Sequence, residues 1–333
     1  MKTYLVTGGA GFIGSHLCDA LLAAGHRVLV VDDLSTGSLQ NIKHLQGHPR
    51  FESFIDTVLN RELLAMLAGR AHAIFHLAAA VGVRLVVESP VRTIETNAVG
   101  TQMVLDVASK AGLPVLITSS SEVYGKSTKV PFAESDDLVF GNTVIGRWSY
   151  GCSKALTEFL ALSYCREVRL PVVVVRLFNT VGPRQTGSYG MVLPTFVRQA
   201  LSGRPITVYG DGTQRRCFCY VGDVVAALVK LADHRGATGQ VFNIGTDKEI
   251  TIAELAERVR TLTGSQSPVV RIRYEQVWGE QFEDMRRRVP DLTRIRALIA
   301  FEPTTSLTDM ILRVIEHERS VAQCAEAAQG GRL

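Results

Sequence analysis

The chain has 333 residues, 46% of them hydrophobic, with 36 Lys and Arg against 32 Asp and Glu. That length predicts one large domain or two lobes around a sizeable core. The net charge of +4 is too small to indicate a polycationic surface for nucleic acid or membrane. No apolar run approaches the roughly 18 residues that span a bilayer, and the six cysteines match no disulfide framework or metal motif. We therefore expect a soluble cytoplasmic protein with no metal site, no nucleic-acid partner and no membrane segment.

Short apolar runs alternate with amphipathic stretches through the first half of the chain. The runs are apolar throughout, which is typical of strands buried on both faces of a parallel sheet. Their alternation with helices predicts an α/β fold with a doubly wound parallel sheet of the Rossmann type. The predicted strands cover residues 4–6, 28–31, 51–55, 73–77, 115–117 and 172–177, and the predicted helices cover 14–24, 61–68, 91–110 and 150–168.

The rhythm changes after residue 178, where Gly and Pro become frequent and the strand signals become short. A further buried strand is predicted at 240–244, and Thr251 with Glu254 has the spacing of a capping box that begins a helix. We expect a smaller, discontinuous C-terminal substrate lobe. The predicted division is a Rossmann lobe at 1–178 and about 223–246, a second lobe at about 179–222 and 247–320, and a flexible tail at 321–333.

A glycine-rich turn follows the first predicted strand and opens the first helix. Gly9-Ala-Gly-Phe-Ile-Gly14 fits G-x-G-x-x-G, and Gly8 extends it. In this context the turn brings backbone N–H groups close to a pyrophosphate at the positive end of the helix. Asp32 ends the second strand, 18 residues after Gly14, near the spacing of an acid that binds an adenosine ribose. No Arg follows it immediately, so NAD is favoured over NADP.

Tyr150 and Lys154 are four residues apart and share one helix face. An ammonium near a phenol lowers the phenol's pKa, which makes Tyr150 a candidate base for a hydroxyl proton. Upstream, Thr118-Ser-Ser-Ser-Glu122 closes a predicted strand and points to the crevice where open α/β sheets bind ligands. These hydroxyls could bind a sugar, and Glu122 could act as an acid or base at a neighbouring carbon.

Together these residues resemble the extended short-chain dehydrogenases/reductases, the nucleotide-sugar epimerases, dehydratases and decarboxylases. The likeness rests on Thr7–Gly14, His76-Leu-Ala-Ala79, the serine run and the Tyr150/Lys154 pair, and it covers about residues 3 to 318. It implies a Rossmann lobe that keeps NAD bound and a second lobe that binds a nucleoside-diphosphate sugar, expected to be a UDP-sugar. It also implies transient oxidation at C4 and a homodimer formed through the helices at 91–110 and 150–168.

The resemblance implies a role for each residue that matches a family motif. The expected NAD contacts are Gly8, Gly11, Phe12, Ile13, Gly14, Asp32, Asp56, Ala78 and Lys154, with Asp56 near the adenine and Lys154 on the nicotinamide ribose. The expected catalytic residues are Tyr150, Lys154, Ser120, Ser121, Glu122 and Arg288. The expected substrate contacts are Arg84, Asn179, Arg216 and Arg288, with Asn179 on the sugar diphosphate and Arg216 on the nucleotide phosphate.

Three segments are similar to UDP-sugar decarboxylases. Ser120-Ser-Glu-Val-Tyr-Gly125 is similar to a motif of UDP-glucuronate decarboxylases. Residues 140–154 resemble UDP-apiose/xylose synthases and the bacterial decarboxylases of lipid A modification. Arg288-Val-Pro-Asp291 is similar to a segment whose Arg faces the substrate carboxylate. Oxidation of C4 turns a glucuronate into a β-keto acid, which readily loses carbon dioxide. The resulting enolate needs a proton at C5, and Glu122 or Arg288 is expected to control its addition.

Other reactions stay open at the level of sequence. The segment from His76 to Arg84 lacks the prolines of many decarboxylases and is more similar to 4-epimerases. A 4,6-dehydratase also uses a Glu where this chain has Glu122, but it carries an Asp at the place of Ser121. A non-catalytic dinucleotide sensor would be expected to lose Tyr150 or Lys154. The sequence favours a UDP-glucuronate decarboxylase, then a 4-epimerase, then a dehydratase, with a sensor last.

Overall fold

The computed structural model describes residues 1–82, 88–187, 191–278 and 285–330. Its strands are short, and most of those in the first half are apolar and buried as the sequence predicts. The strand at 51–55 differs, because it contains Glu52 and Ser53 and is only partly buried. The strands are β1 Thr3–Thr7, β2 Arg27–Asp32, β3 Phe51–Ile55, β4 Ala73–His76, β5 Val115–Ser120, β6 Val172–Leu177, β7 Thr180–Val181, β8 Ile206–Tyr209, β9 Arg215–Cys217, β10 Cys219–Tyr220, β11 Gln240–Ile244, β12 Glu249–Thr251, β13 Val269–Ile272 and β14 Arg287–Arg288.

Helices connect and cover these strands. The described α-helices are α1 Phe12–Ala23, α2 Arg61–Ala68, α3 Pro90–Ala111, α4 Ser149–Glu167, α5 Val192–Leu201, α6 Val221–Ala232, α7 Ile252–Thr263, α8 Tyr274–Trp278, α9 Thr293–Ile299 and α10 Leu307–Gly330. The predicted capping box begins α7, where Thr251 and Glu254 each bind the other's backbone N–H. None of the described helices is long and apolar enough to cross a membrane.

Seven parallel strands form the main sheet, in the order β3-β2-β1-β4-β5-β6-β11. The chain moves outward from β1 to β3 on one side and then returns to β4 on the other. The strand order therefore reverses between β1 and β4, which is where such sheets bind ligands. The predicted Rossmann fold is confirmed.

Apolar cores cover both faces of this sheet. Leu17 of α1 and Leu228 of α6 are fully buried on one face. Leu64 of α2, Leu105 of α3 and Ala161 of α4 are buried on the other. With helices on both faces, a strand can be apolar at every position, which explains the continuous apolar runs in the sequence.

A third core lies outside the main sheet, beneath α5, α7 and α10, and includes Phe196, Leu255 and Val314. Small sheets border it, formed by β8 with β13 and by β12, β9 and β14. Between these segments the chain returns to the main sheet through α6 and β11. The lobe boundaries given above stay predictions. Residues 321–330, which belong to the predicted flexible tail, form the last part of helix α10.

Candidate active site

A cavity of about 800 Å³ opens at the carboxyl ends of the main strands and reaches the third core. Every predicted site residue that the structure describes lines this cavity, and Arg84 lies outside the described residues. The lining includes Gly8, Gly11, Phe12, Ile13, Gly14, Asp32, Asp56, Ala78, Ser120, Ser121, Glu122, Tyr150, Lys154, Asn179, Arg216 and Arg288. The fold thus brings together residues at the carboxyl ends of the main strands, residues of α4, and residues of β9 and β14.

The glycine turn shapes the end of the cavity next to β1. A Cβ atom at Gly8 would lie 2.7 Å from the Ala78 nitrogen, and Gly8 has a positive φ of 74°. A Cβ atom at Gly14 would lie 2.1 Å from the Gly8 carbonyl oxygen. Within the described chain no side chain caps α1 at Gly11, so its first N–H groups can bind an anion.

Asp32 closes the same end of the cavity. Its Oδ2 accepts the N–H of Ala10 at 2.9 Å, and its Oδ1 accepts the N–H of Leu34 at 2.8 Å. Burial raises the pKa of Asp32, and these two hydrogen bonds oppose that shift. A carboxylate accepts about four hydrogen bonds, so each oxygen can also accept one from a ribose hydroxyl. The close turn, the uncapped helix and this acid fit the pyrophosphate and adenosine ribose of NAD.

Replacing Asp32 by Ala should weaken NAD binding about 10–100-fold, because a hydrogen bond to a charged group contributes about 1.5–3 kcal/mol. The measurement is calorimetric titration of the cofactor-free protein with NAD. Asp309→Ala is the matched control, since Asp309 is exposed, is not among the cavity-lining residues, and its Oδ2 accepts the Ser306 hydroxyl at 2.6 Å. Equal NAD affinity in the Asp32 and Asp309 variants would contradict the assignment.

Lys154 and Tyr150 lie side by side at the start of α4, and both are buried. The Lys154 ammonium donates a hydrogen bond to the Thr118 carbonyl oxygen at 3.0 Å. Burial lowers the pKa of Lys154 to about 8. The Ser120 hydroxyl lies near the Tyr150 phenol and opposes the rise of its pKa, and it accepts the N–H of Glu122 at 3.3 Å. The end of β5 therefore positions both halves of the Tyr–Lys pair.

The protein's own groups raise the pKa of Tyr150 rather than lower it. Burial is the largest cause, followed by the charge of the Glu122 carboxylate. The hydrogen bond with Ser120 and the charges of Arg147 and Arg288 oppose the rise. The lowering predicted from the Tyr–Lys spacing is therefore wrong for the protein alone, where the lowering contributions come from Ser120 and the two arginines and not from Lys154. For Tyr150 to act as a base, additional positive charge at the site is needed, which an oxidised nicotinamide carries.

Glu122 is paired with two arginines. Arg147 Nη1 lies 2.6 Å from Oε2, and Arg288 Nη1 lies 2.6 Å from Oε1. The three side chains are at most 10% exposed. Although burial raises the pKa of Glu122, the two guanidinium charges dominate and lower it to about 2. Glu122 is therefore ionised throughout the physiological pH range and has no proton to donate.

Sequence reasoning missed Arg147. The residue stands three positions before Tyr150, in a short 3-10 turn, Gly146–Trp148, that leads into α4. Residues three apart share a helix face, so this spacing was the available signal. The pairing with Glu122 could not be read from it, because the two residues are 25 positions apart and meet only when α4 packs against the end of β5.

Arg216 and Asn179 lie on the side of the cavity toward the third core. Arg216 is buried, and its Nη1 donates to the Arg215 carbonyl oxygen at 2.9 Å. Asn179 follows β6, and its side-chain amide donates to the Cys217 carbonyl oxygen at 3.5 Å. Beyond them the lining continues through Tyr209, Gln214 and Tyr274. This half is long enough for a ligand that extends well past the Tyr–Lys pair.

A Rossmann sheet, a dinucleotide cradle and a Tyr–Lys pair in one cavity define an NAD-dependent enzyme of the short-chain dehydrogenase/reductase class. The chain belongs to the NAD dependent epimerase/dehydratase family, whose model matches residues 4–245.

Several relatives are similar over nearly the whole chain. A UDP-N-acetyl-alpha-D-glucosaminuronate decarboxylase of Bacillus cytotoxicus is 40% identical over 96% of this chain and 98% of its own. UDP-glucuronic acid decarboxylase 1 of Danio rerio is 35% identical over 95% of this chain and 72% of its own. Among solved structures, a UDP-glucuronic acid 4-epimerase of Bacillus cereus is 28% identical, with a TM-score of 0.85 over 96% of this chain and 99% of its own.

Proposed function

We propose that the protein is a UDP-glucuronate decarboxylase that releases carbon dioxide and a UDP-pentose. The observation that carries this proposal is the buried cluster of Glu122, Arg147 and Arg288 next to Tyr150. A 4-epimerase that acts on a neutral sugar such as UDP-glucose needs no charged group beside C5 and C6. A uronate presents a carboxylate there, for which an arginine at the cavity wall is the natural partner. The named decarboxylases among the similar proteins support the same conclusion.

The chemistry begins at Tyr150, which removes the proton of the C4 hydroxyl, with Ser120 beside the phenol and Lys154 placed to bind the nicotinamide ribose. NAD held by the glycine turn and Asp32 would supply the hydride acceptor for C4 and the same hydride for the return step. The C4 ketone lies β to the C6 carboxylate, so the electrons of the C5–C6 bond can move into an enolate as carbon dioxide leaves. A proton then adds to C5. Because Glu122 is ionised, we infer that this proton comes from water that Glu122 orients.

The other residues bind the substrate in this proposal. Arg288 contacts the C6 carboxylate, Arg216 the nucleotide phosphates and Asn179 the sugar diphosphate. Ser121 is buried against the cavity, where its hydroxyl can hydrogen-bond the sugar. The glycine turn, Asp32, Asp56 and Ala78, which all line the cavity, hold NAD.

A second candidate substrate is UDP-N-acetylglucosaminuronate, which the relative from Bacillus cytotoxicus favours. It carries the same C4 hydroxyl and C6 carboxylate and differs at C2, so the same residues would decarboxylate it. The alternative reaction is 4-epimerisation, which the similarity to the solved UDP-glucuronic acid 4-epimerase favours. It requires the 4-keto sugar to turn over without losing C6. The experiment below distinguishes it from decarboxylation.

Proton NMR of the purified protein with each UDP-uronate tests the proposal. We expect UDP-xylose, or the corresponding 2-acetamido pentose, to appear as the uronate disappears. UDP-galacturonate as the sole product would show a 4-epimerase. A protein that leaves both substrates unchanged while it binds NAD would favour a dinucleotide sensor.

We also propose a homodimer through α3 and α4, as the family resemblance implies. The outer faces of these helices expose apolar side chains, with Phe159 at 64% and Val91 at 68% exposure. Phe159→Glu should convert the dimer to a monomer, because a charge in an apolar contact is costly to bury. Sedimentation velocity measures this, with Met66→Glu on α2 as the control. A Phe159 variant that stays dimeric would contradict this interface. The cytoplasmic location also stays a proposal.

A further inference from the structure

Arg147 makes a two-point contact with the Glu122 carboxylate. Its Nη1 lies 2.6 Å from Oε2, and its Nη2 donates to Oε1 at 2.9 Å. Arg288 contacts Oε1 through Nη1 at 2.6 Å. Of these two Arg147 contacts only Nη2–Oε1 has hydrogen-bond geometry, since in the described chain Oε2 has no hydrogen-bond partner. Arg147 therefore holds the carboxylate by one hydrogen bond and one close charge contact.

The backbone holds Arg147 and Glu122 in a fixed relation. The turn that carries Arg147 runs directly into α4, and α4 packs against the backbone of Glu122. A Cβ atom at Gly151 would lie only 2.5 Å from the Glu122 carbonyl oxygen. Arg288 instead belongs to β14, which pairs with β9 outside the main sheet. A carboxylate entering the cavity can therefore compete for Arg288 while Arg147 stays on Glu122.

Several charged or titratable groups face Glu122 from the elements packed around it. In the described chain they are Arg147 before α4, Arg288 on β14, Arg216 on β9 and Tyr150 on α4. The arginines hold the pKa of Glu122 at about 2. A carboxylate with so low a pKa is a weak base, because proton-transfer rates follow base strength.

This matters once C4 is oxidised, because the hydrogen on C5 then lies next to a ketone and becomes acidic. A free Glu at this position could remove it, which is the step a dehydratase needs and a decarboxylase does not. We propose that Arg147 is a positioning residue whose guanidinium lies against both oxygens of Glu122, and that this ion pair prevents Glu122 from removing the C5 proton. The site is thereby restricted to breaking the C5–C6 bond. This inference rests on the proposed oxidation at C4.

Deuterium exchange at C5 tests the proposal. In deuterium oxide, UDP-glucose can be oxidised at C4 but has no carboxylate to lose, and UDP-glucuronate recovered at half conversion is the second probe. We expect Arg147→Gln to incorporate deuterium at C5 about tenfold faster than the wild type, because base catalysis strengthens as the pKa rises. Arg286→Gln removes a 79% exposed arginine and should exchange at the wild-type rate.

A second readout needs no turnover. In acid unfolding without substrate, the stability difference between wild type and Arg147→Gln should shrink as the pH falls from about 5 toward 2, since Glu122 becomes protonated in both proteins. A difference that does not depend on pH would show that Arg147 does not pair with the ionised Glu122 and would overturn the inference.

Wild-type exchange at C5 in both probes by a folded Arg147→Gln protein would overturn the inference. If that variant does not fold, Arg147→Lys decides, because it keeps the charge but loses the two-point contact. Arg147→Lys should exchange at least about twofold faster than wild type, and no increase would overturn the inference. Faster C5 exchange without any carbon dioxide from UDP-glucuronate would refute the proposed decarboxylation alone.

Discussion

Replacing Tyr150 by Phe will lower kcat for a UDP-uronate about 10²–10⁴-fold, the usual contribution of a positioned acid–base group. The phenol is the group at the site that can accept the C4 hydroxyl proton, since Lys154 donates to the Thr118 carbonyl oxygen and Glu122 is held by arginines. Phe keeps the ring and its burial, so the fold and the affinity for NAD should be unchanged. The rate of product formation, with NAD binding measured alongside, checks the prediction.

Tyr164→Phe is the matched control. Tyr164 lies on the same helix α4, but its hydroxyl donates to Asp106 and is remote from the cavity lining. Its variant should keep wild-type kcat. A Tyr150→Phe protein with kcat within about tenfold of wild type would remove Tyr150 as the base and would revive the sensor hypothesis.

Glu122→Gln will produce the largest loss of stability that we expect at this site. It leaves the guanidinium groups of Arg147 and Arg288 without their shared carboxylate in a buried cluster, and breaking such a pair costs about 3–5 kcal/mol. Urea unfolding measures the loss. The variant should still oxidise C4 but form UDP-pentose at least about 10²-fold more slowly, because the group that orients the C5 proton source is altered.

Glu52→Gln is the matched control, because Glu52 also pairs with two arginines, Arg27 and Arg70, but is 39% exposed. An exposed pair contributes about 0–1 kcal/mol, so this variant should unfold near the wild type. Full activity in Glu122→Gln would refute the role proposed for the carboxylate, and wild-type stability would refute the energetic account of the cluster.

The loss of stability in Glu122→Gln should also depend on pH. The pKa of Glu122 is about 2 in the folded protein, below its ordinary value near 4.5. Its ionised form therefore stabilises the fold fully above about pH 4.5, and this contribution is lost as the pH falls toward 2. The stability difference between wild type and Glu122→Gln should be constant near neutral pH and shrink in that acid range.

The Rossmann sheet could be predicted from sequence because its signals are local. Apolar runs such as 172–177 and the glycine turn between β1 and α1 each report their own environment. The return of the chain to the main sheet at 240–244 was also visible as a buried strand. The extension of β5 to Ser120 was not, since its last residues are hydroxylic and pair with β6.

The site was predictable as a set of residues and not as an electrostatic arrangement. Tyr150, Lys154 and Glu122 stand in recognisable motifs, so their presence in one cavity followed from the fold. The ionised state of Glu122 depends on Arg147 and Arg288, which approach it from two different elements. The raised pKa of Tyr150 depends on burial and on Glu122. Both pKa values sum contributions from residues that are far apart in the sequence, so they depend on tertiary packing.

The most direct test of the central claim follows the carboxylate carbon of the substrate. UDP-glucuronate labelled with carbon-13 at C6, incubated with the purified NAD-bound protein, should release one labelled carbon dioxide for each UDP-xylose formed. The bound NAD should be oxidised again at the end of the reaction. Retention of the label in the nucleotide sugar, whether in UDP-glucuronate or in UDP-galacturonate, would contradict the account.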